Sequence, residues 1–323
     1  LITPGGHDDT QDLQVPTLRW LRKHLTQIDE PITLVAAPKF LPEELKVFER
    51  LPDDEINSVI DEHFVSAALP IEPPTESTAA AEQLNRWREA LRQRVLAAWN
   101  EEPDGGRLLE RTDRSLRIDS SDGLPIELIF GPRPAEVSAL RLVLLDERSD
   151  PESLPAADQT NEWVVGCRLR GSGETAGPTD AASSIHFRRR LALIGESIES
   201  GRVWDLRQSI RRLQAELETS RESPCPVAIR ASGGDGWVAA LTAVFEPSVK
   251  SIDLDRFPID REARPVLPAF DRVMTPAELL VLAASGCRVT ITDSDESLAR
   301  AMADWNGVLN EPTTSRTHSE LPR

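Results

Sequence analysis

The sequence predicts an α/β fold built on a mostly parallel sheet with helices on both faces, preceded by a helical connector. From about residue 139 onward, short apolar runs alternate with segments that carry apolar residues at helical spacing. This alternation is typical of βαβ units, in which consecutive strands lie parallel and helices cover the sheet. The run from Leu140 to Leu145 is almost continuously apolar, as expected for a strand buried on both faces.

The segment before the sheet has the pattern of helices joined by loops. Residues 3–10 have the composition of a loop, and an amphipathic helix with Pro16 near its start follows. Its apolar residues recur at helical spacing: Leu18, Leu21, Leu25 and Ile28. Residues 69–80 have the composition of a linker. Further helices are predicted over about 42–48, 55–64 and 81–99.

The sheet region begins where the hydrophobic period changes to two. From Leu116 to Phe130, apolar and polar residues alternate around Asp122-Gly123, a turn signal typical of a hairpin. Later strands are predicted over about 163–169, 226–231, 249–254 and 287–291, and helices over about 187–198, 203–217, 276–284 and 298–305. The polar segment 310–323 is predicted to be a disordered tail.

One stretch combines a strand, a Gly-rich turn and a helix. Residues 226–231 are mainly apolar, Ser232-Gly233-Gly234-Asp235-Gly236 follows, and an Ala- and Leu-rich segment comes next. Glycines at such a turn permit backbone conformations that side chains forbid. A turn of this kind can also cradle a phosphate at a helix N-terminus. Here the phosphate signal is weak, because the P-loop Lys and a complete Gly-x-Gly-x-x-Gly are missing.

The composition excludes several classes of function. The formal net charge of −17 over 323 residues disfavours nucleic acids and anionic membrane surfaces as partners. No apolar run is long enough to span a membrane. The three cysteines (Cys167, Cys225 and Cys287) do not form a disulfide framework. Since none of the five histidines lies at metal-ligand spacing from another His or from Cys, we expect no metal and no other cofactor.

Three motifs occur in an order that resembles the α/β-hydrolase family. Arg170-Gly171-Ser172-Gly173 follows the second parallel strand, Arg-Val-Trp-Asp-Leu-Arg occupies 202–207, and the Gly-rich turn comes third. Each motif is weak alone, and the order makes the resemblance specific. More narrowly, the chain looks like the large microbial acetyl xylan esterase-like hydrolases, in some of which a degenerate lobe follows a catalytic lobe. Segments 4–10, 15–20 and 45–57 are similar to their catalytic-His loop, last helix and inter-lobe connector.

The resemblance implies that the Gly-rich turn occupies the position of the nucleophile elbow. In that elbow, small residues stand two before and two after the nucleophile. The frame fits the five residues from Ser232 to Gly236, whose middle residue, Gly234, has no side chain to attack from. Ser232 as nucleophile would place Arg230 where a small residue is needed, and a shift to Asp235 fails in the same way. We expect a blank elbow; a shifted nucleophile and an unrelated Gly-rich turn are the alternatives.

Other catalytic positions are assigned by the same resemblance. His7, in the loop before the first helix, fits the catalytic His of an upstream lobe, and a solvent-exposed loop His is the alternative. Asp293 or Asp295 takes the place of the triad acid as a vestige, with helix-capping and turn carboxylates as the alternative. Active members have a His-Gly type oxyanion turn where this chain has Asp146-Glu147, and carboxylates there oppose a developing oxyanion.

These motifs predict four segments. Residues 1–30 are the C-terminal piece of an upstream α/β-hydrolase lobe, and 31–104 form a helical connector and linker. Residues 105–309 form a degenerate α/β-hydrolase lobe, and 310–323 the tail. Because the chain begins at Leu1 rather than Met, a fragment of a longer protein is expected.

By resemblance, the chain is expected to be the C-terminal part of a carboxylic-ester hydrolase. It would supply His7 and a non-catalytic lobe to the upstream catalytic lobe of the same polypeptide, and acylated polysaccharide is a further partner. The alternative is a non-enzymatic polysaccharide-binding or scaffolding module, and a third hypothesis is a complete enzyme with a shifted nucleophile. The resemblance also implies a secreted or periplasmic location.

Overall fold

The computed structural model divides the chain into two compact units. It describes residues 10–32, 40–41, 43–58, 60, 66–99, 102–120, 122–145, 154–159, 161–217, 224–293 and 295–309. The first unit spans Leu1–Phe64 and the second Val65–Arg323. The sequence places the end of the connector at residue 104, whereas the units divide at residue 64. A helix that starts at Ser77 belongs to the second unit because it packs into its core.

The first unit contains helix α1 (Gln11–Thr26). Because α1 begins at Gln11, Pro16 lies inside the helix rather than at its start. After the helix, Asp29 receives ion pairs from Arg19 at 3.1 Å and Lys23 at 2.7 Å. These exposed pairs tie the segment after α1 back to the helix and add little stability, because water screens them.

The predicted helix over 42–48 is wrong. Residues 43–45 form a turn, and residues 46–48 have no regular structure. The Glu44 carboxylate accepts a hydrogen bond from the Leu41 N–H at 2.7 Å, which closes the turn locally. Most of the predicted helix over 55–64 lies outside the described residues.

A mixed sheet organises the second unit. Its strands among the described residues are β1 (Arg107–Arg111), β2 (Ser115–Asp119), β3 (Pro125–Phe130), β4 (Ala139–Leu144), β5 (Glu162–Arg168), β6 (Val227–Ser232), β7 (Val249–Asp255) and β8 (Arg288–Thr292). The eight strands lie in the order β1-β2-β3-β5-β4-β6-β7-β8. Strands β4 to β8 pair in parallel. The pairs β1–β2, β2–β3 and β3–β5 are antiparallel. The predicted mostly parallel sheet is confirmed.

The alternating stretch from Leu116 forms the hairpin β2–β3, as predicted. Leu116 and Ile118 on β2 and Ile126 and Leu128 on β3 are all fully buried on one face of the sheet. The sequence did not predict β1, whose residues are all exposed, because its apolar residues do not alternate. Its pairing with β2 shifts register between Leu108 and Glu110, which is a β-bulge at the edge of the sheet.

Helices cover both faces of this sheet. They are α2 (Ser77–Ala90), which continues as a π-helical turn (Leu91–Val95), α3 (Ala181–Leu193), α4 (Ile198–Leu217), α5 (Asp235–Phe245), α6 (Pro276–Ala284) and α7 (Glu296–Leu309). The first six residues of β5 are all buried, and since successive side chains alternate between faces, both faces are covered there. Trp87 of α2 contacts Trp305 of α7, with ring centroids 5.0 Å apart. Of the helices described, none is long and apolar enough to cross a membrane.

The strand before the Gly-rich turn lies in the middle of the sheet. β6 pairs in parallel with β4 on one side and β7 on the other. Val227 and Ile229 are 1% and 0% exposed, and Ala239 and Ala240 of α5 are also fully buried. The predicted strand–turn–helix unit is therefore part of the main core, which rigidly positions the turn.

We expect Ile229→Ala to lower the free energy of unfolding by about 2–4 kcal/mol, because a fully buried side chain is truncated in a packed core. Guanidinium denaturation would measure the change. Ile185→Ala is the matched control, since Ile185 is 50% exposed on α3, and its effect should stay within about 0.5 kcal/mol. Equal midpoints for the Ile229 variant and the original protein would contradict the position given to β6.

Candidate functional site

The Gly-rich turn has its left-handed residue at Gly233. Strand β6 ends at Ser232, Gly233 has a φ of +58°, and Gly234 is already right-handed with φ −59° and ψ −28°. Helix α5 begins at the next residue, Asp235. A nucleophile position at Gly234 would need a strained or left-handed backbone there, and Gly234 does not have it. The strand ends one residue earlier than that frame requires, so Gly234 serves as the N-cap of α5.

Of the two glycines, Gly233 is therefore the one with the backbone that a nucleophile position would need. A frame centred on Gly233 runs from Ala231 to Asp235, so a carboxylate stands where a small residue is needed, and the middle residue again has no side chain. A Cβ placed on Gly233 meets no atom within 4 Å, whereas a Cβ on Gly234 would lie 3.3 Å from Cγ of Pro265. Space for a side chain exists at Gly233, but the sequence supplies none.

The side chains beside the elbow are held by other contacts. Ser232 Oγ donates to Oδ2 of Asp255 at 3.1 Å and accepts from Nη2 of Arg256 at 2.9 Å. The Asp235 carboxylate pairs with Nη1 of Arg202 at 2.8 Å. A Cβ on Gly236 would lie 3.0 Å from the ring of Phe257, so this position must stay small for α5 to pack. Neither Ser232 nor Asp235 is presented as a nucleophile.

A polar cluster occupies the carboxyl ends of β6, β7 and β8, the edge at which open α/β sheets bind ligands. It consists of Ser232, Asp255, Arg256 and Thr292. Partial burial alone raises the pKa of Asp255, but hydrogen bonds from Arg256 and Ser232 outweigh it and hold the pKa below the usual range. Asp255 is therefore an ionised carboxylate that accepts hydrogen bonds from Ser232, Arg256 and Thr292. Sequence analysis missed it, although a carboxylate directly after a buried strand was a signal for this edge.

The two carboxylates assigned to the triad acid lie in the segment between the end of β8 and the start of α7. Asp293 is exposed and has a φ of +53°, as in a tight turn. Asp295 accepts a hydrogen bond from the Ser297 N–H at 2.7 Å at the start of α7, and hydrogen bonding to Ser297 lowers its pKa. Asp295 thus has the geometry of a helix cap.

Histidines do not complete a triad in the part of the chain that the structure describes. His24 packs on the ring of Trp20 in α1, with centroids 4.5 Å apart, and His186 is exposed on α3. Neither hydrogen-bonds Ser232. His7, Asp146 and Glu147 lie outside the described residues, so their proposed roles stay predictions.

Two motifs singled out in the sequence meet in one buried cluster, which we call the Arg170 cluster: Arg170, Asp205, Ser120 and Asp122. Arg170 donates to Asp205 from its backbone N at 2.9 Å, from Nε at 3.0 Å and from Nη2 at 2.6 Å. Ser120 Oγ also donates to Asp205, and Nη1 of Arg170 pairs with Asp122 at 2.8 Å. The cluster joins the β2–β3 hairpin, the turn after β5, and α4.

Glycines make room for this cluster. Gly171 has a φ of +79°, which turns the chain sharply after Arg170. A Cβ on Gly201 would lie 2.6 Å from Cδ of Arg170, so α4 approaches the arginine only because residue 201 is Gly. Burial alone lowers the pKa of Arg170, but Asp205 and Asp122 reverse this and raise it above the usual value. The guanidinium is permanently charged and serves the fold.

The part of the chain that the structure describes contains no candidate metal site. It contains no group of three or more His, Cys, Asp or Glu side chains arranged to hold a metal ion. All three cysteines are buried, and burial strongly raises the pKa of the Cys167 thiol. Cys167 therefore stays a neutral thiol, a poor nucleophile and metal ligand.

Comparison with solved structures identifies the fold. A candidate acetyl xylan esterase from Bacteroides fragilis aligns with a TM-score of 0.61 and 10% identity, over 84% of this chain and 83% of that chain. A family 15 glucuronoyl esterase from Caldicellulosiruptor kristjansonii aligns with a TM-score of 0.49 and 8% identity, over 77% and 83%. The acetyl xylan esterase from Paenibacillus sp. R4 gives a TM-score of 0.42 and 16% identity, over 78% and 91%. No protein-family model and no curated protein sequence matches the chain.

The first of these alignments, together with the mostly parallel sheet, shows that the chain has an α/β-hydrolase fold. The resemblance to acetyl xylan esterase-like α/β-hydrolases that the motifs predicted is confirmed at the level of the fold. The first aligned structure is that of a candidate acetyl xylan esterase, but a fold alone does not assign an activity.

We expect Asp205→Ala to lower the free energy of unfolding by about 3–5 kcal/mol, because it leaves the buried Arg170 guanidinium without its main partner. Asp122→Ala is the matched control. Asp122 pairs with the same arginine but is 43% exposed, so its loss should cost less than about 1 kcal/mol. Urea denaturation of both variants would test this, and equal losses would show that Asp205 is not the main anchor.

Proposed function

We propose that the second unit is the non-catalytic lobe of a carboxylic-ester hydrolase. The observation that carries this proposal is that Gly233, in the strand–turn–helix unit, has a positive φ and no side chain. The neighbouring esterase structures support the class of hydrolase, and the elbow supports the absence of catalysis in this lobe.

The surroundings of the elbow support the same conclusion. A serine nucleophile needs a base within about 2.6–3.2 Å that accepts its proton. Ser232 instead faces Asp255 and Arg256, and the lowered pKa of Asp255 makes it a weak proton acceptor. The cluster therefore stabilises the edge of the sheet without activating a hydroxyl.

The chemistry of the proposed hydrolase takes place in the catalytic lobe of the same polypeptide and not in the second unit. There a serine would attack the acyl carbonyl of an ester, and His7 would act first as general base and then as general acid. The Gly-rich sequence around His7 and the helical pattern that follows support this role. The present chain would contribute that histidine, the connector and the non-catalytic lobe.

We expect the 323-residue chain to hydrolyse p-nitrophenyl acetate no faster than buffer and to resist labelling by a fluorophosphonate. Gly233→Ser should behave in the same way, because a hydroxyl at that position still lacks a base. Mass spectrometry of the treated protein would locate any adduct. Stoichiometric labelling at Ser232, abolished in Ser232→Ala, would overturn the proposal in favour of a shifted nucleophile.

In the polypeptide that includes the catalytic lobe, we expect His7→Ala to reduce kcat for an acetyl ester by several orders of magnitude, as loss of a triad member does. His186→Ala is the matched control, because that histidine is exposed on α3 and should leave kcat unchanged. The circular dichroism spectrum and thermal midpoint should not change in either variant. Full activity of His7→Ala would remove this loop from the catalytic site.

A further inference from the structure

The described residues cover the parallel part of the sheet unevenly. On β6, β7 and β8, the side chains of the main core lie on one face: Ile229, Ala231, Ile252, Leu254, Val289 and Ile291. Successive side chains of a strand point to opposite faces, so the residues between and beside them lie on the other face. This second set, which we call the polar face, consists of Ala228, Arg230, Ser232, Ser251, Asp253, Asp255, Arg288, Thr290 and Thr292, all half-buried or exposed.

The polar face includes inner strands of a parallel sheet, where open surface is unusual. Parallel sheets occur almost only with both faces covered. Strand β6 has β4 on one side and β7 on the other, yet Arg230 in its middle is exposed. On β5, by contrast, six successive residues are buried, so that strand is covered on both faces. An open stretch of an otherwise covered parallel sheet indicates a surface that another protein surface packs against.

Two opposite charges stand side by side in the polar face. In the register of β6 and β7, Arg230 lies beside Asp253. Neither side chain forms an ion pair with another described residue. Burying such charges under a partner is costly unless each of them meets an opposite charge. A partner surface of one sign would place a like charge against one of the two, whereas a surface with the same two charges in exchanged positions would pair both.

A second copy of the chain presents such a surface. A two-fold axis that runs along the strands between β6 and β7 places Arg230 over Asp253 of the partner subunit, and by symmetry this pair forms twice. In the neighbouring row, Ala228 lies beside Ser251, and these small side chains let the two sheets approach. The net charge of −17 makes two copies repel each other, but the charges of Arg230 and Asp253 cancel at this contact.

We propose that the polar face is the interface of an isologous dimer, in which two copies pack sheet against sheet and Arg230 and Asp253 form reciprocal ion pairs. Because the polar face has no large apolar side chain, the contact has the character of a small, reversible interface rather than an obligate one. The proposal goes beyond ester hydrolysis: it gives this lobe a role in assembly, and it does not depend on a catalytic lobe.

Sedimentation velocity of the 323-residue chain tests the proposal. At about 100 µM, a dimer with a Kd in the micromolar range is the main species, and we expect the protein to sediment as a dimer. Arg230→Asp places like charges opposite each other at both contacts, and so does Asp253→Arg, so each should weaken dimerisation at least about tenfold. Arg189→Asp, on the exposed face of α3, is the matched control and should dimerise like the original protein.

Mixing the two charge-reversal variants is the sharper test. In a two-fold dimer of one Arg230→Asp chain and one Asp253→Arg chain, an aspartate faces an arginine at both contacts. The mixture should therefore form a heterodimer, although each variant alone dimerises poorly, and the double variant should dimerise on its own. Circular dichroism would show whether each variant is folded. If a reversal is not folded, Arg230→Gln replaces it and should weaken dimerisation by a smaller factor.

The proposal is overturned if the original chain sediments as a monomer at this concentration, or if it forms a dimer that no charge variant weakens. A mixture of folded variants that forms no heterodimer would also overturn it, in favour of a partner other than a second copy. Esterase assays measure the proposed function separately.

Discussion

The second unit depends on the contact between Arg170 and Asp205. One carboxylate, fully buried, receives a backbone N–H, two guanidinium N–H groups and a serine hydroxyl. Charges in such a place are stable only when all of their hydrogen bonds are made. The contact therefore fixes the turn after β5 and the position of α4 together. One turn earlier on α4, Arg202 pairs with Asp235 at the start of α5, so the same helix also positions the Gly-rich turn.

Much of this fold could be predicted from the sequence, because the hydrophobic pattern decides it. The two-residue period from Leu116 to Phe130 identified the hairpin, and the apolar runs identified the parallel strands. Other features depend on tertiary contacts. Strand β1 has no periodic signal of its own and forms because β2 offers an open edge. Helix α2 lies in the segment that the sequence assigned to the connector, yet Leu84 and Trp87 bury it in the core of the second unit.

The site was harder to predict than the fold. A two-glycine turn allows two frames, and the sequence does not say which glycine adopts the left-handed conformation. That choice depends on where β6 ends, and the N–H of Gly233 bonds to the carbonyl of Asp255 at 2.8 Å. Asp255 and Arg256 were missed because they act through contacts between neighbouring strands, which a linear motif does not contain. Likewise, the alternating charges of Arg117, Glu127 and Arg168 lie opposite one another on β2, β3 and β5, and this can be seen only once the strand register is known.

The shape of the β1 edge has a consequence for self-association. A strand at the border of a sheet exposes backbone groups that can recruit a strand from another molecule. Here the border strand is five residues long, starts and ends with arginine, and bulges between Leu108 and Glu110. Short length, like charges and a local kink each hinder the regular pairing that a growing β-ribbon needs. The bulge that interrupts the hydrogen bonding between β1 and β2 thus also hinders this strongly acidic chain from polymerising through its sheet.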